Sequence, residues 1–107
     1  MKIVNADLIG ILHRQREFSA KTFGPGKRTK GIVEHIRKEL VEVEGSNGSL
    51  DEWIDVLILA LDATWRTGAT PSEVVEALIE KSRRNETRKW SDWRKAPPDA
   101  AIEHLRK

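Results

Sequence analysis

Two pairs of acidic residues, Glu39/Glu42 and Glu52/Asp55, have the types and spacing best suited to chemistry in this chain. Within each pair the spacing is i, i+3, which places both carboxylates on one side of a helix, a turn apart. The turn-forming segment 45–48 separates the pairs, so two antiparallel helices would bring the four carboxylates face to face. At ~5 Å and an effective dielectric of ~20, each carboxylate pair would repel by about 3 kcal/mol. The pattern therefore predicts that a cation or bound protons neutralise the cluster.

The ligand types restrict which cation could bind. All four side chains are oxygen donors, the chain has no cysteine, and His35 is the one histidine close to the pairs in sequence. Hard oxygen ligands favour Mg²⁺, or Mn²⁺, over Zn²⁺. In a second interpretation there is no site: Glu42 is solvated and Asp55 pairs with an arginine. Glu52 would then serve only as the capping-box partner of Ser49. The residues alone leave both interpretations open.

A further polar group lies on the fourth predicted helix. Lys81, Asn85 and Arg88 are spaced i, i+4, i+7 and share one face, where two cations and an amide can hold phosphates and a base or sugar edge. The competing interpretation is a solvated helix end whose cations complement the negative end of the helix dipole. The glycine-rich segment 23–28 lacks the spacing of a P-loop and is a weak phosphate-binding signal.

Four helices are predicted to position these side chains, at about residues 5–18, 30–44, 49–67 and 71–88, with no strand-like alternation between them. The third is apolar over roughly two-thirds of its circumference, which is typical of a buried central helix. Its remaining polar sector contains Asp51, Glu52, Asp55, Asp62 and Arg66. Asp99 is predicted to cap a short C-terminal helix that ends near Leu105. The sequence therefore predicts an all-α fold.

The length and composition of the chain limit the class of protein to which it can belong. A chain of 107 residues is expected to form one domain, residues 1–107. The longest apolar run, residues 56–61, is far shorter than the ~20 residues that span a bilayer, and the lack of cysteine fits a cytoplasmic protein. Acids concentrate at 34–62 and cations at 81–95, which favours an acidic and a basic site over a nucleic-acid binder. A non-catalytic helical adaptor that binds nucleic acid or a partner through residues 81–95 remains the alternative from another class.

The ordered set of motifs resembles the all-α nucleoside triphosphate pyrophosphohydrolases of the MazG-like superfamily. Glu-x-x-Glu, a short turn and Glu-x-x-Asp carry that resemblance. The segments that resemble one branch, the phage and prophage dATP/dGTP pyrophosphohydrolases, are 22–26, 35–40, 51–62, 81–90, 92–94 and 101–104. In one departure, Lys38 precedes Glu39 where many relatives have two adjacent acids, which bears on the number of metal ions bound.

The resemblance implies Mg²⁺-dependent hydrolysis of dATP or dGTP to the monophosphate and pyrophosphate, with Mn²⁺ as a substitute ion. It implies a MazG-like four-helix bundle completed by oligomerisation, as a homodimer or homotetramer, with a short C-terminal helix. The implied roles are metal binding by Glu39, Glu42, Glu52 and Asp55, water activation by Glu42 or Glu52, nucleotide contacts by Lys81, Asn85 and Arg88, and a helper role for Asp62. A house-cleaning hydrolase for dUTP, dCTP or modified nucleotides is the closest alternative.

Overall fold

The computed structural model describes residues 7–105 and contains four α-helices: α1 (Leu8–Phe23), α2 (Thr29–Gly45), α3 (Leu50–Trp65) and α4 (Pro71–Thr87). Between residues 7 and 105 the only β-type pairing is an isolated antiparallel bridge that joins Trp90 and His104. The all-α fold class is confirmed. None of the helices within these residues is long and apolar enough to cross a membrane.

Helix α1 begins at a side-chain cap and ends at a glycine. Asp7 Oδ1 accepts a hydrogen bond of 2.7 Å from the backbone N–H of Gly10. Residues 5 and 6 of the predicted helix lie outside the described residues, and the predicted end at residue 18 is wrong because the helix continues to Phe23. Residues 19–23 contain no helix breaker, whereas Gly24 adopts a φ of 85° and Pro25 follows it.

Helices α2 and α3 form the antiparallel hairpin expected from the short turn between them. Asn47 and Gly48 adopt positive φ angles of 57° and 79°, and the Gly48 N–H donates to the carbonyl of Val43 at 2.8 Å. Helix α2 packs along α3, and α1 also packs against α3. Buried apolar side chains are few among the described residues: Leu12, Ile32, Val43 and Val74.

The prediction that the third helix is buried is wrong for the single chain. Trp53, Ile54, Leu57 and Ile58 are each between 40% and 51% exposed. Asp62 is the one buried residue of α3. The physical reason is that α1 and α2 are the helices that pack against α3 in the described chain, while the apolar residues of α3 extend around most of its circumference.

The chain divides into two compact units, Met1–Val75 and Glu76–Lys107, with the boundary inside α4. In the second unit, the predicted C-terminal helix is absent from the described residues. The Leu105 N–H donates to the Lys89 carbonyl at 2.6 Å, and the Ser91 N–H donates to the Glu103 carbonyl at 3.2 Å. A helix of about five residues nucleates poorly, so the backbone groups of this segment pair with residues 89–91 instead.

Candidate active site

The α2–α3 hairpin brings three acidic side chains together. Glu39 of α2 and Glu52 and Asp55 of α3 each offer one carboxylate oxygen, and these oxygens lie within 4.8 Å of one another. Glu39 and Glu52 are half-buried and Asp55 is exposed. These three residues, the acidic triad below, come from both of the acid pairs seen in the sequence.

Glu42, the remaining member of the two pairs, is exposed and lies close enough to act on the triad. Burial raises the pKa of Glu39, and the Glu42 and Asp55 carboxylates raise this pKa further, against a smaller opposing effect of His35. Burial likewise raises the pKa of Glu52, with further contributions from the charges of Glu42, Asp55 and Asp51. The cause is the same at both positions: negative charges crowd where water is partly excluded.

The carboxylate of Glu52 is not used in capping. Its Oε2 atom is buried and has no hydrogen-bond partner among residues 7–105. Ser49 is the N-cap residue of α3, but its side chain makes no capping hydrogen bond, so the predicted capping box between the two residues is wrong. A capping box does form at the start of α4, where Thr70 and Glu73 exchange hydrogen bonds of 2.8 and 3.2 Å.

The acidic triad fits a hard divalent cation. A buried acceptor without a donor is costly, and a cation beside Glu52 Oε2 would satisfy it. Burial and neighbouring carboxylates raise the pKa values of Glu39 and Glu52, so a cation bound beside them would stabilise both ionised side chains. Oxygen ligands of this kind suit Mg²⁺ or Mn²⁺. The His35 Nε2 atom lies 3.5 Å from Glu39 Oε1 and can orient that carboxylate.

Asp62 belongs to a different arrangement, further along α3. Its Oδ2 accepts a hydrogen bond of 2.9 Å from Arg66 Nε, and its Oδ1 accepts one of 3.0 Å from Trp65 Nε1. Both oxygens are therefore occupied within the helix and its C-terminal cap. The helper role of Asp62 at the metal site stays a prediction, and this geometry adds no support for it.

The guanidinium of Arg66 ties three segments of the chain together. Its Nη1 donates to the carbonyls of Gly24 and Gly26, both at 2.9 Å, and its Nη2 donates to Ser19 Oγ at 2.9 Å. We call this network, with Asp62, the Arg66 clamp. The i, i+4 spacing of Asp62 and Arg66 could have indicated the ion pair from sequence. No sequence signal marks the glycine carbonyls some forty residues earlier as its acceptors.

The predicted nucleotide-binding residues lie in the second unit, and all three are exposed. Lys81 and Asn85 are on α4, and Arg88 directly follows its last residue, Thr87. Arg88 Nη1 donates to Asn85 Oδ1 at 3.1 Å, and the Asn85 carbonyl accepts from Trp90 Nε1 at 2.8 Å. Their contact with a nucleotide stays a prediction.

A family model described as dATP/dGTP pyrophosphohydrolase matches residues 11–107, a range that contains both acid pairs and the polar residues of the second unit. Neither a curated protein nor a solved structure matches the chain at a significant level.

Proposed function

We propose that this chain, which belongs to the dATP/dGTP pyrophosphohydrolase family, hydrolyses dATP and dGTP in a reaction that depends on Mg²⁺, with Mn²⁺ as a substitute. The family resemblance of the sequence is confirmed, and the chain is an enzyme that acts as a nucleoside triphosphate pyrophosphohydrolase. The observation that supports the metal dependence is the acidic triad, with the buried and unpartnered Oε2 of Glu52 in the described part of the chain.

The acidic triad would hold the divalent ion, with Glu42 beside it. A bound ion would supply Lewis-acid chemistry by screening the charge of the triphosphate and polarising the α-phosphoryl group. Glu42 is the exposed carboxylate next to the triad and is suited to accept a proton from the attacking water; Glu52 is the second candidate. The water oxygen bonds to the α-phosphorus, the bond to the bridging oxygen breaks, and pyrophosphate leaves.

Two further assignments complete the proposal. Lys81, Asn85 and Arg88 contact the nucleotide, and the two cations stabilise the charge that develops on the departing pyrophosphate. Residues 1–107 act as one domain that assembles as a homodimer or homotetramer. The apolar side chains that α3 leaves exposed support this assembly, because contiguous apolar surface of this kind is typical of interfaces.

The test is a panel of deoxynucleoside triphosphates incubated with Mg²⁺, with the released phosphate species identified. We expect dATP and dGTP to give pyrophosphate and the monophosphate, and we expect EDTA to abolish turnover until Mg²⁺ or Mn²⁺ is restored. Undiminished turnover in EDTA, or release of orthophosphate, would overturn the mechanism. A clear preference for dUTP, dCTP or a modified nucleotide would reassign the enzyme to the house-cleaning class.

A further inference from the structure

We propose that the cavity between α1, α2 and α3 receives the purine ring of the substrate. This inference rests on the function proposed above. The cavity has a volume of about 200 Å³. Complete small-molecule pockets measure ~300–1,000 Å³, so this one suits a single ring system, with the sugar and phosphates outside it. Its lining includes Gln15, Phe18, Phe23, Arg28, His35 and Ile58.

The cavity adjoins the acidic triad through one residue. His35 lines the cavity, and its Nε2 lies 3.5 Å from Glu39 Oε1. The two residues are one turn apart on α2, about 6 Å along the helix axis. A base held in the cavity would therefore lie a short distance from the carboxylates, and the deoxyribose would bridge that distance. This is the arrangement that a nucleotide requires, with its base and its phosphates at opposite ends of the sugar.

Two exposed aromatic rings provide a surface for a base. Phe18 and Phe23 pack edge to face with ring centroids 6.2 Å apart. Their exposures of 62% and 52% are large for phenylalanine in a folded chain. Every nucleobase has a π face, and stacking on an aromatic side chain is a recurrent way to bind one. The rings therefore fit a planar, uncharged ligand better than a phosphate.

The polar side chains of the lining match groups that both purines present. Both adenine and guanine present the N7 acceptor, guanine adds O6, and adenine adds the N6 amine. The Arg28 guanidinium can donate to N7 of either purine and to O6 of guanine. Gln15 Nε2 already donates to the Ile58 carbonyl at 2.6 Å, which leaves the amide oxygen of Gln15 to accept from N6 of adenine. One site can therefore take both bases.

The Arg66 clamp fixes the segment that carries two of these side chains. Phe23 and Arg28 flank the backbone at Gly24 and Gly26, whose carbonyls both accept from Arg66 Nη1. The Arg66 side chain is only 2% exposed, so the anchor is inside the protein. Arg66 therefore anchors the backbone between Phe23 and Arg28.

The experiment removes the N7 acceptor from the substrate and its donor from the protein. For the wild-type chain we expect kcat/KM to fall about tenfold when 7-deaza-dATP or 7-deaza-dGTP replaces the natural nucleotide. For Arg28→Ala we expect the natural and 7-deaza substrates to be turned over with equal kcat/KM. Phe23→Ala should raise KM about tenfold with kcat little changed. Both residues are exposed, so neither change removes core packing.

Lys27→Ala is the matched control, because Lys27 is the neighbouring cation and is exposed. It should leave the preference for natural over 7-deaza substrates unchanged. Two results would overturn the base site. One is a wild-type enzyme with equal kcat/KM for natural and 7-deaza substrates. The other is an Arg28→Ala variant with a lower kcat/KM for every substrate and an unchanged preference for the natural ones. The proposed function would still stand in that case, since turnover itself persists.

Binding of the product dGMP, measured by calorimetry, gives a readout that does not need turnover. We expect Arg28→Ala and Phe23→Ala to weaken dGMP binding about tenfold and Lys27→Ala to leave it unchanged. Equal affinity in all variants, or no dGMP binding by the wild-type chain, would overturn the base site. Weaker dGMP binding by the two variants, together with an absence of pyrophosphate release, would support the base site and reject the proposed reaction.

Discussion

Helix α3 carries acids at both ends, and the two ends differ in what surrounds them. Near its start, Glu52 and Asp55 meet Glu39, whose Oε1 lies 3.5 Å from His35 Nε2, while Glu52 Oε2 has no hydrogen-bond partner in the described chain. Near its end, Asp62 has both oxygens bonded, and Arg66 Nε lies 2.9 Å from one of them. The same helix thus contains a complete polar network and an incomplete one.

The difference separates a polar network that stabilises the fold from an acidic cluster that is suited to bind a cation. Buried polar groups in folded proteins almost always have partners, and a charge left without one is strongly destabilising. The Arg66 clamp meets this requirement with protein atoms alone, so it needs nothing from solution. The acidic triad does not meet it with the residues that the structure describes, so protons or a cation from solution would be needed to neutralise its charge. This contrast is the strongest physical argument for a cation site at the start of α3.

The largest effect is expected at the clamp. Arg66→Met leaves Asp62 buried without a counter-ion, and we expect it to lower the free energy of unfolding by about 3–5 kcal/mol. Urea denaturation measures the change. Arg84→Met is the matched control, since Arg84 and Glu80 have the same i, i+4 spacing but are exposed, with 3.7 Å between Nε and Oε1. There we expect less than about 1 kcal/mol. Equal losses in the two variants would contradict the contrast between the ends of α3.

The second effect is expected at the triad and is catalytic. Glu39→Gln or Asp55→Asn should keep the helical fold yet lower the rate of pyrophosphate release more than about tenfold, which corresponds to ~1.4 kcal/mol. The reason is that each change removes a negative charge from the cation site. Circular dichroism checks the fold, and Glu44→Gln, an exposed change on α2, the helix of Glu39, is the control. Full activity of either triad variant would reject that residue as a ligand.

The smallest effect concerns pH in metal-free buffer. The pKa values of Glu39 and Glu52 are raised above their ordinary value of 4.5 by burial and by neighbouring carboxylates. The folded chain therefore binds more protons than the unfolded chain between that value and the raised pKa values. It follows that the free energy of unfolding falls as pH rises through this window.

Thermal melts in EDTA, from pH 4.5 upward, measure this pH dependence. Glu52→Gln should flatten it, because the substitution removes one of the two titrating groups. If the stability of Glu52→Gln depended on pH as the wild-type stability does, the triad would already be neutralised by protein atoms.

Much of the fold follows from local signals in the sequence. The start of α4 at Pro71 is predictable because Thr70 and Glu73 form a capping box at fixed spacing. The approach of Glu39 to Glu52 is predictable because i, i+3 pairs flank a short turn. Both depend on residues close together in the chain, where geometry is nearly fixed.

Long-range features were not predictable to the same degree. The exposure of Trp53 depends on how many helices pack against α3, which no periodicity reveals. The clamp depends on the carbonyls of Gly24 and Gly26, and every residue has a carbonyl. The fate of residues 99–105 depends on competition between a weak local helix and pairing with residues 89–91. In each case tertiary contacts decided the outcome.

At the two glycines of the clamp, the backbone angles limit which residue can replace glycine, and the space around them does not. Gly24 and Gly26 have φ angles of 85° and 86°, and a Cβ atom built on either would meet nothing within 4 Å. There is room for a methyl group, but an L-residue reaches these angles only with strain. A mirror-image alanine introduced by chemical synthesis would adopt them without strain. It would also stiffen the loop by restricting the unfolded chain, so the same added methyl group would weaken or strengthen this enzyme according to its chirality alone.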